Sequence, residues 1–198
     1  MHRDDRGDGS ACHIRKILSV LRVVGHPRGA ETHDHHEGAG KMSARLNMLG
    51  SPTAGTILKN LTAAGRAVSE TGLPDRTREL VKIRASQING CGFCTDMHTK
   101  EAAAAGETQL RLNLVAAWRE ATVFTDAERA ALELTEQGTR IADAAGGVPD
   151  DVWARAAQHY DEEQLVALVS LIALINAFNR LNVIVQQPAG DYQVGQFG

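Results

Sequence analysis

The sequence is poor in cysteine, in aromatic residues, in surplus charge and in long apolar runs, and each shortage excludes something. Its three cysteines, Cys12, Cys91 and Cys94, are too few and too odd in number for a secreted disulfide framework. A reducing, cytoplasmic setting is the expectation. Net charge is only −3 over 198 residues, so there is no basic footprint for nucleic acid. The most apolar run, Leu165 to Phe178, is shorter than the ~20 residues that cross a bilayer. It reads as a helix buried in a core or at a subunit interface, and no membrane partner is expected. The apolar patch Ile17 to Gly25 lacks a clean small-residue cleavage site, so it does not read as a signal peptide. Aromatics make up 4% of the chain while Ala and Leu dominate, and that balance leans helical. No alternating strand pattern and no hairpin turn signal occurs.

Helical periodicity fills the rest. Residues 1–41 hold six of the eight histidines, including the His33–His36 run, with little periodicity. They read as a disordered extension. A helical domain is expected over 42–187 and a C-terminal tail over 188–198. The first helix is placed at Thr53 to Glu70, with Ile57, Leu58, Leu61, Ala64 and Val68 at helical spacing, and Gly72 and Pro74 beyond it. The second runs from Asp75 to Gln87 and breaks at Asn89-Gly90. The third starts at Cys91 and reaches Gly106, and the fourth covers Thr108 to Glu120. Thr125-x-x-Glu128 is a capping box for a fifth that continues to Gly146-Gly147. Pro149 opens a sixth, and Asp161-x-x-Gln164 caps a seventh that reaches Gln186. The fold class is therefore all-α, with about seven helices. A faint internal echo sets Glu79-Leu80-Val81 over Gln164-Leu165-Val166, which places Asn176 and Asn179 where Cys91 and Cys94 stand.

Chemistry concentrates in Cys91-Gly-Phe-Cys94, with His98 four residues on and Glu79 twelve residues before the first cysteine. Haem attachment needs a histidine directly after the second cysteine, and Thr95 stands there. A structural zinc site needs four donors, which Cys91, Cys94, His98 and Glu79 would have to supply together. Two small core residues are a third reading, and a redox dithiol is the fourth. The spacing favours the fourth. A helix starting near Gly92 puts both sulfurs at its first turn, where free N–H groups and the positive dipole end stabilise a thiolate. Positions 91, 94 and 98 share one face. His98 then serves as a base for the thiol, and Glu79 on the preceding helix orients the imidazole.

The stretch E-L-V-x-I-x-A-S-x-x-N-G-C-x-x-C-x-x-x-H, here Glu79 to His98, resembles the core motif of the alkylhydroperoxidase AhpD and carboxymuconolactone decarboxylase superfamily. A softer likeness extends from Met42 to Gln187 and includes Asn179-Arg180. The resemblance implies an all-helical fold assembled as trimers or hexamers, and a peroxidase that uses the cysteine pair; no flavin, haem or nicotinamide motif is visible in the sequence, and no cofactor or metal is expected. It implies that Cys94 attacks the peroxide, Cys91 resolves the sulfenic acid to a disulfide, and Glu79 and His98 relay the proton. A dithiol, dihydrolipoyl or thioredoxin-like, restores the pair. One position departs: AhpD carries a relay histidine just before the second cysteine, where this chain has Phe93.

Three functions therefore compete. The leading expectation is a thiol peroxidase for hydrogen peroxide or an organic hydroperoxide. Cys94 is expected to be the more exposed thiol and Cys91 the more buried, with Ile88, Phe93 and Met97 walling the pocket. The second is an acid–base enzyme of the decarboxylase branch, acting on a small lactone or keto acid through His98 and Glu79. The third is a redox sensor whose dithiol only reports oxidation.

Overall fold

The computed structural model describes residues 43–197. The expected N-terminal extension, with Cys12 and the His33–His36 run, lies outside the described residues. Among those described there are seven α-helices, one 3-10 turn and no strand. The helices are α1 (Pro52–Ser69), α2 (Asp75–Ile88), α3 (Gly92–Ala104), α4 (Gln109–Leu114), α5 (Asp126–Thr139), α6 (Asp150–Ala157) and α7 (Glu162–Val185). The all-α architecture of about seven helices expected from the sequence is the one observed.

Helix α2 is the hub. It packs on α3, α5 and α7, while α1 lies on α7 and α6 on α5. Its apolar residues leave the helix in three directions. Val81 joins Leu73, Leu134, Leu168 and Leu171 in one cluster. Leu80 and Ile83 join Val115, Trp118, Phe124 and Leu132 in a second. Ala85 meets Cys91, Cys94 and Ile175 in a third, small cluster. Each fully buried Leu or Ile contributes roughly 1.5–3 kcal/mol. The cysteine pair is thus held by the same helix that anchors the rest of the core.

Local chemistry sets most boundaries. Ser51 caps α1 by accepting from Ala54 N at 3.3 Å, with Pro52 just inside. The capping boxes at Thr125/Glu128 and Asp161/Gln164 are both formed. Two helices end earlier than the sequence suggests. The fourth is α-helical only to Leu114 and tightens to a 3-10 turn over Val115–Ala117. Leu112, Val115 and Trp118 are all buried, and a spacing of three suits the tighter helix. The carbonyls of Trp118, Arg119 and Ala121 then accept from the Arg129 guanidinium at 2.8 to 2.9 Å, which replaces the missing turns. The fifth helix stops at Thr139 rather than at the glycines. Ile141 beyond it is 57% exposed, so nothing rewards continuing the helix.

Helix α7 is longer than its apolar run, and by length and composition it is sufficient to cross a membrane. Its position in the fold is that of a core helix. Ala167, Leu168, Leu171, Ile172 and Ile175 are buried, and α1, α2 and α5 pack on it.

Candidate active site

The junction of α2 and α3 builds the site. Asn89 caps α2, and Gly90 turns the chain with φ of 64°, a left-handed conformation that glycine adopts at no steric cost. The Gly90 N–H donates to Gln87 O and the Cys91 N–H to Ser86 O at 2.9 Å, which closes α2 in a Schellman motif. Cys91 is at the same time the N-cap of α3, with Sγ accepting from Cys94 N at 3.4 Å. One residue ends one helix and starts the next, so its sulfur is aimed at the first turn of α3. Both cysteines are free thiols.

The two sulfurs are electrically unlike. Hydrogen bonding from Cys91 lowers the Cys94 pKa to about 7. Burial opposes the shift, and the Asn182 and Asn179 amides add to it. Cys91 is pushed strongly upward, because its thiol is the donor to Cys94 and because it is buried. Of the two, Cys94 is the sulfur that loses its proton more readily, and Cys91 holds its proton the more firmly.

Glu79 and His98 form a second pair. His98 lies one turn beyond Cys94 on α3 and is buried, with Nδ1 3.1 Å from Glu79 Oε2 on α2. Burial works against the Glu79 carboxylate. Its hydrogen bond with His98 and the charge of Lys82 more than offset this and hold its pKa at about 2. Burial lowers the His98 pKa, and the bond to Glu79 opposes that only in part. A neutral imidazole beside a carboxylate carries its proton on Nδ1, so Nε2 is the basic nitrogen. No group of three or more His, Cys, Asp and Glu side chains among the described residues is placed to hold a metal ion.

Helix α7 supplies a row of amides that sequence reasoning used only in part. Asn89 Nδ2 donates to Asn176 Oδ1 at 3.0 Å and to Asn179 Oδ1 at 2.9 Å. Asn179 Nδ2 donates to Ser86 Oγ at 3.0 Å. These bonds tie the α2–α3 turn to α7 and satisfy the Asn176 and Asn179 side chains, which are buried, so that leaving them unpaired would be costly. Asn182 Nδ2 lies 3.3 Å from Cys94 Sγ. Asn182 was absent from the expected site. Its only signal was its position three residues after Asn179, nearly one helical turn along the same helix. The echo that aligned Asn176 and Asn179 with the cysteines is not matched in local structure, since α7 runs unbroken where α2 stops.

The expected difference in exposure between the thiols is overturned. Cys94 is 1% exposed and Cys91 2%, because Ile175, Phe93 and Phe178 close over them. An open cleft of about 630 Å³ reaches this region from one side. Its walls include Cys91, Ser86, Gln87, Thr95, Ala189 and Gly190, but not Cys94 and not the expected Ile88, Phe93 or Met97. Phe93 instead meets Tyr192 and Phe197 of the C-terminal segment, with ring centroids 6.5 and 6.2 Å apart.

Comparison with known proteins is consistent with this architecture. The sequence profile of the carboxymuconolactone decarboxylase family matches residues 55–137. An uncharacterized Bacillus subtilis protein, YdfG, is 50% identical over 107 residues, which span 54% of this chain and 71% of YdfG. A crystal structure from Agrobacterium tumefaciens, of a protein of unknown function with a suggested AhpD role in antioxidant defence, is 36% identical. It superposes with a TM-score of 0.69 over 76% of this chain and 100% of that one. The debrominase Bmp8 shares the fold, with a TM-score of 0.63 over 73% of this chain and 75% of its own, at 17% identity.

Proposed function

The chain belongs to the AhpD and carboxymuconolactone decarboxylase superfamily, and on that premise we propose that it is a thiol-dependent peroxidase. The observation that carries the reading is the buried cysteine pair, in which Cys91 Sγ accepts from the Cys94 N–H at the first turn of α3 and the neighbouring thiol lowers the Cys94 pKa to about 7 while that of Cys91 is raised.

The steps follow from those protonation states. The Cys94 thiolate attacks one peroxide oxygen, the O–O bond breaks, and the leaving alkoxide takes a proton and departs as ROH. Cys94 becomes a sulfenic acid. The Cys91 thiol gives up its proton and attacks the Cys94 sulfur, and the hydroxyl leaves as water. A disulfide remains, and a dithiol donor returns two electrons. In this reading His98 moves the protons through Nε2, by way of water where the distance requires it, while Glu79 fixes its tautomer and orientation. The pair is kept reduced between turnovers in a reducing, cytoplasmic compartment. The unit that works is a homotrimer or hexamer. Val166 and Val169 on α7 are 54% and 48% exposed and Ile57 on α1 is 45% exposed, which leaves apolar surface for a second copy to cover.

The test is turnover. Purified protein supplied with dithiothreitol should consume many equivalents of hydrogen peroxide or tert-butyl hydroperoxide, yielding water or the alcohol. Oxidation that stops after one equivalent despite excess dithiol identifies a sensor. A Cys91→Ser/Cys94→Ser double variant that decarboxylates a small lactone as well as the wild type identifies the decarboxylase branch. Either result rejects the proposal.

A further inference from the structure

Residues 188–197 do not trail away from the domain. They form a strap along the first three turns of α3. Asp96, Lys100 and Glu101 face it at helical spacing. Asp96 Oδ2 accepts from Gly190 N at 2.8 Å and from Tyr192 N at 3.4 Å. Lys100 Nζ donates to the carbonyls of Gly190 and Tyr192, both at 3.0 Å, and pairs with Asp96 Oδ1 at 2.8 Å. Glu101 accepts from Gly195 N at 2.8 Å and from the Tyr192 hydroxyl. The Tyr192 ring is buried between Phe93 and Phe197. The strap also lies tight against the cysteine turn. A Cβ placed on Gly92 would meet Ala189 Cβ at 3.2 Å, closer than most side chains approach. Asp96, Lys100 and Glu101 are all engaged in holding the strap, and the strap's first residues form one wall of the cleft that meets Cys91.

Resting on the peroxidase reading, we propose that the reducing dithiol enters by this cleft and attacks Cys91, and that the strap is the element that selects the donor, admitting a slender dithiol and holding off a globular one. Geometry supplies the direction of attack, since Cys91 lines the cleft and Cys94 does not. Chemistry agrees with it, because the sulfur with the lower pKa is the better leaving group. A donor thiolate bonds to Cys91 Sγ, the Sγ–Sγ bond breaks, and its electron pair leaves on Cys94. The donor's second thiol then loses its proton and attacks the donor sulfur of the mixed disulfide. Cys91 leaves with that electron pair and takes up a proton, and the donor departs as its own disulfide.

The reductive half can be tested apart from peroxide. The full chain is oxidised to the Cys91–Cys94 disulfide with diamide, cleared of oxidant, and mixed with dithiothreitol or with reduced thioredoxin. Reduction is followed by acid quench, alkylation and mass spectrometry. Three variants loosen the strap: Tyr192→Ala, Lys100→Met, and a chain ended at Gln187. The expectation is that strap variants gain at least about tenfold in rate with thioredoxin, while the dithiothreitol rate stays within about twofold. Brief exposure of the wild-type disulfide to glutathione should leave the adduct on Cys91. Equal changes for both donors, or none in any folded variant, overturn the role of the strap. An adduct on Cys94 overturns the direction of attack. Failure of diamide to form the disulfide overturns the whole scheme. A protein that diamide oxidises but peroxide does not has lost the peroxidase reading alone, and the selectivity of its reduction still decides this one.

Discussion

Asn182 Nδ2 lies 3.3 Å from Cys94 Sγ, joining the last turns of α7 to the first turn of α3 at the atom expected to react. A neutral amide donor favours the charged form of the sulfur without adding a charge of its own. Asn182→Leu removes that donor and keeps the bulk. We expect the Cys94 pKa to rise and thiolate absorbance near 240 nm at pH 7 to fall, with unchanged far-ultraviolet circular dichroism. A titration curve that superposes on the wild type would remove Asn182 from the site.

The two cysteines are expected to fail differently. Cys94→Ser should abolish peroxide reduction. Cys91→Ser should permit one oxidation and then stall at the sulfenic acid or go further. Single-turnover stopped-flow measurement followed by mass spectrometry distinguishes the two. Wild-type turnover by Cys94→Ser would end the proposed mechanism.

Glu79→Gln and His98→Gln are each expected to slow peroxide reduction by about a hundredfold, the usual worth of a positioned acid or base. Because Glu79 acts through His98, the double variant should lose much less than the product of the two. Fully multiplicative losses would show that they work independently.

The pH dependence follows from the thiolate. The attacking form of Cys94 is the deprotonated one, so the rate of the oxidative step should rise with pH through about 7 and then level. Stability should move at the acid end. Glu79 has a folded pKa of about 2 against an ordinary 4.5. It binds fewer protons folded than unfolded between those values. Its stabilisation is therefore complete above about pH 4.5 and is lost as pH falls toward 2. Glu79→Gln should flatten that acid limb in urea unfolding measured between pH 2 and 5.

Light scattering at micromolar concentration should give a mass that is a multiple of three chains. A species of 21.3 kDa, the mass of one chain, would mean that the exposed apolar residues of α1 and α7 stay uncovered.

The sequence by itself determined which segments are helical, because apolar periodicity, capping boxes and the glycine at position 90 act over a few residues. It also marked Glu79, Cys91, Cys94 and His98, since two cysteines three apart with a histidine on the same helical face are few enough in kind to be noticed. Where helices stop depended on remote partners. Arg129 ends the segment after α4, and α5 ends where its buried face runs out. Tertiary structure alone decided the electrical character of the site. The unequal hold of the two thiols on their protons depends on which sulfur caps α3, and Asn182 comes from 88 residues away in the chain. It also decided that Cys91, and not Cys94, borders the open cleft, because Phe93 of α3 and Ile175 and Phe178 of α7 pack over the pair while Ala189 and Gly190 wall the cleft beside Cys91. Exposure and pKa are sums over every neighbour in space, and local spacing carries only the nearest of them.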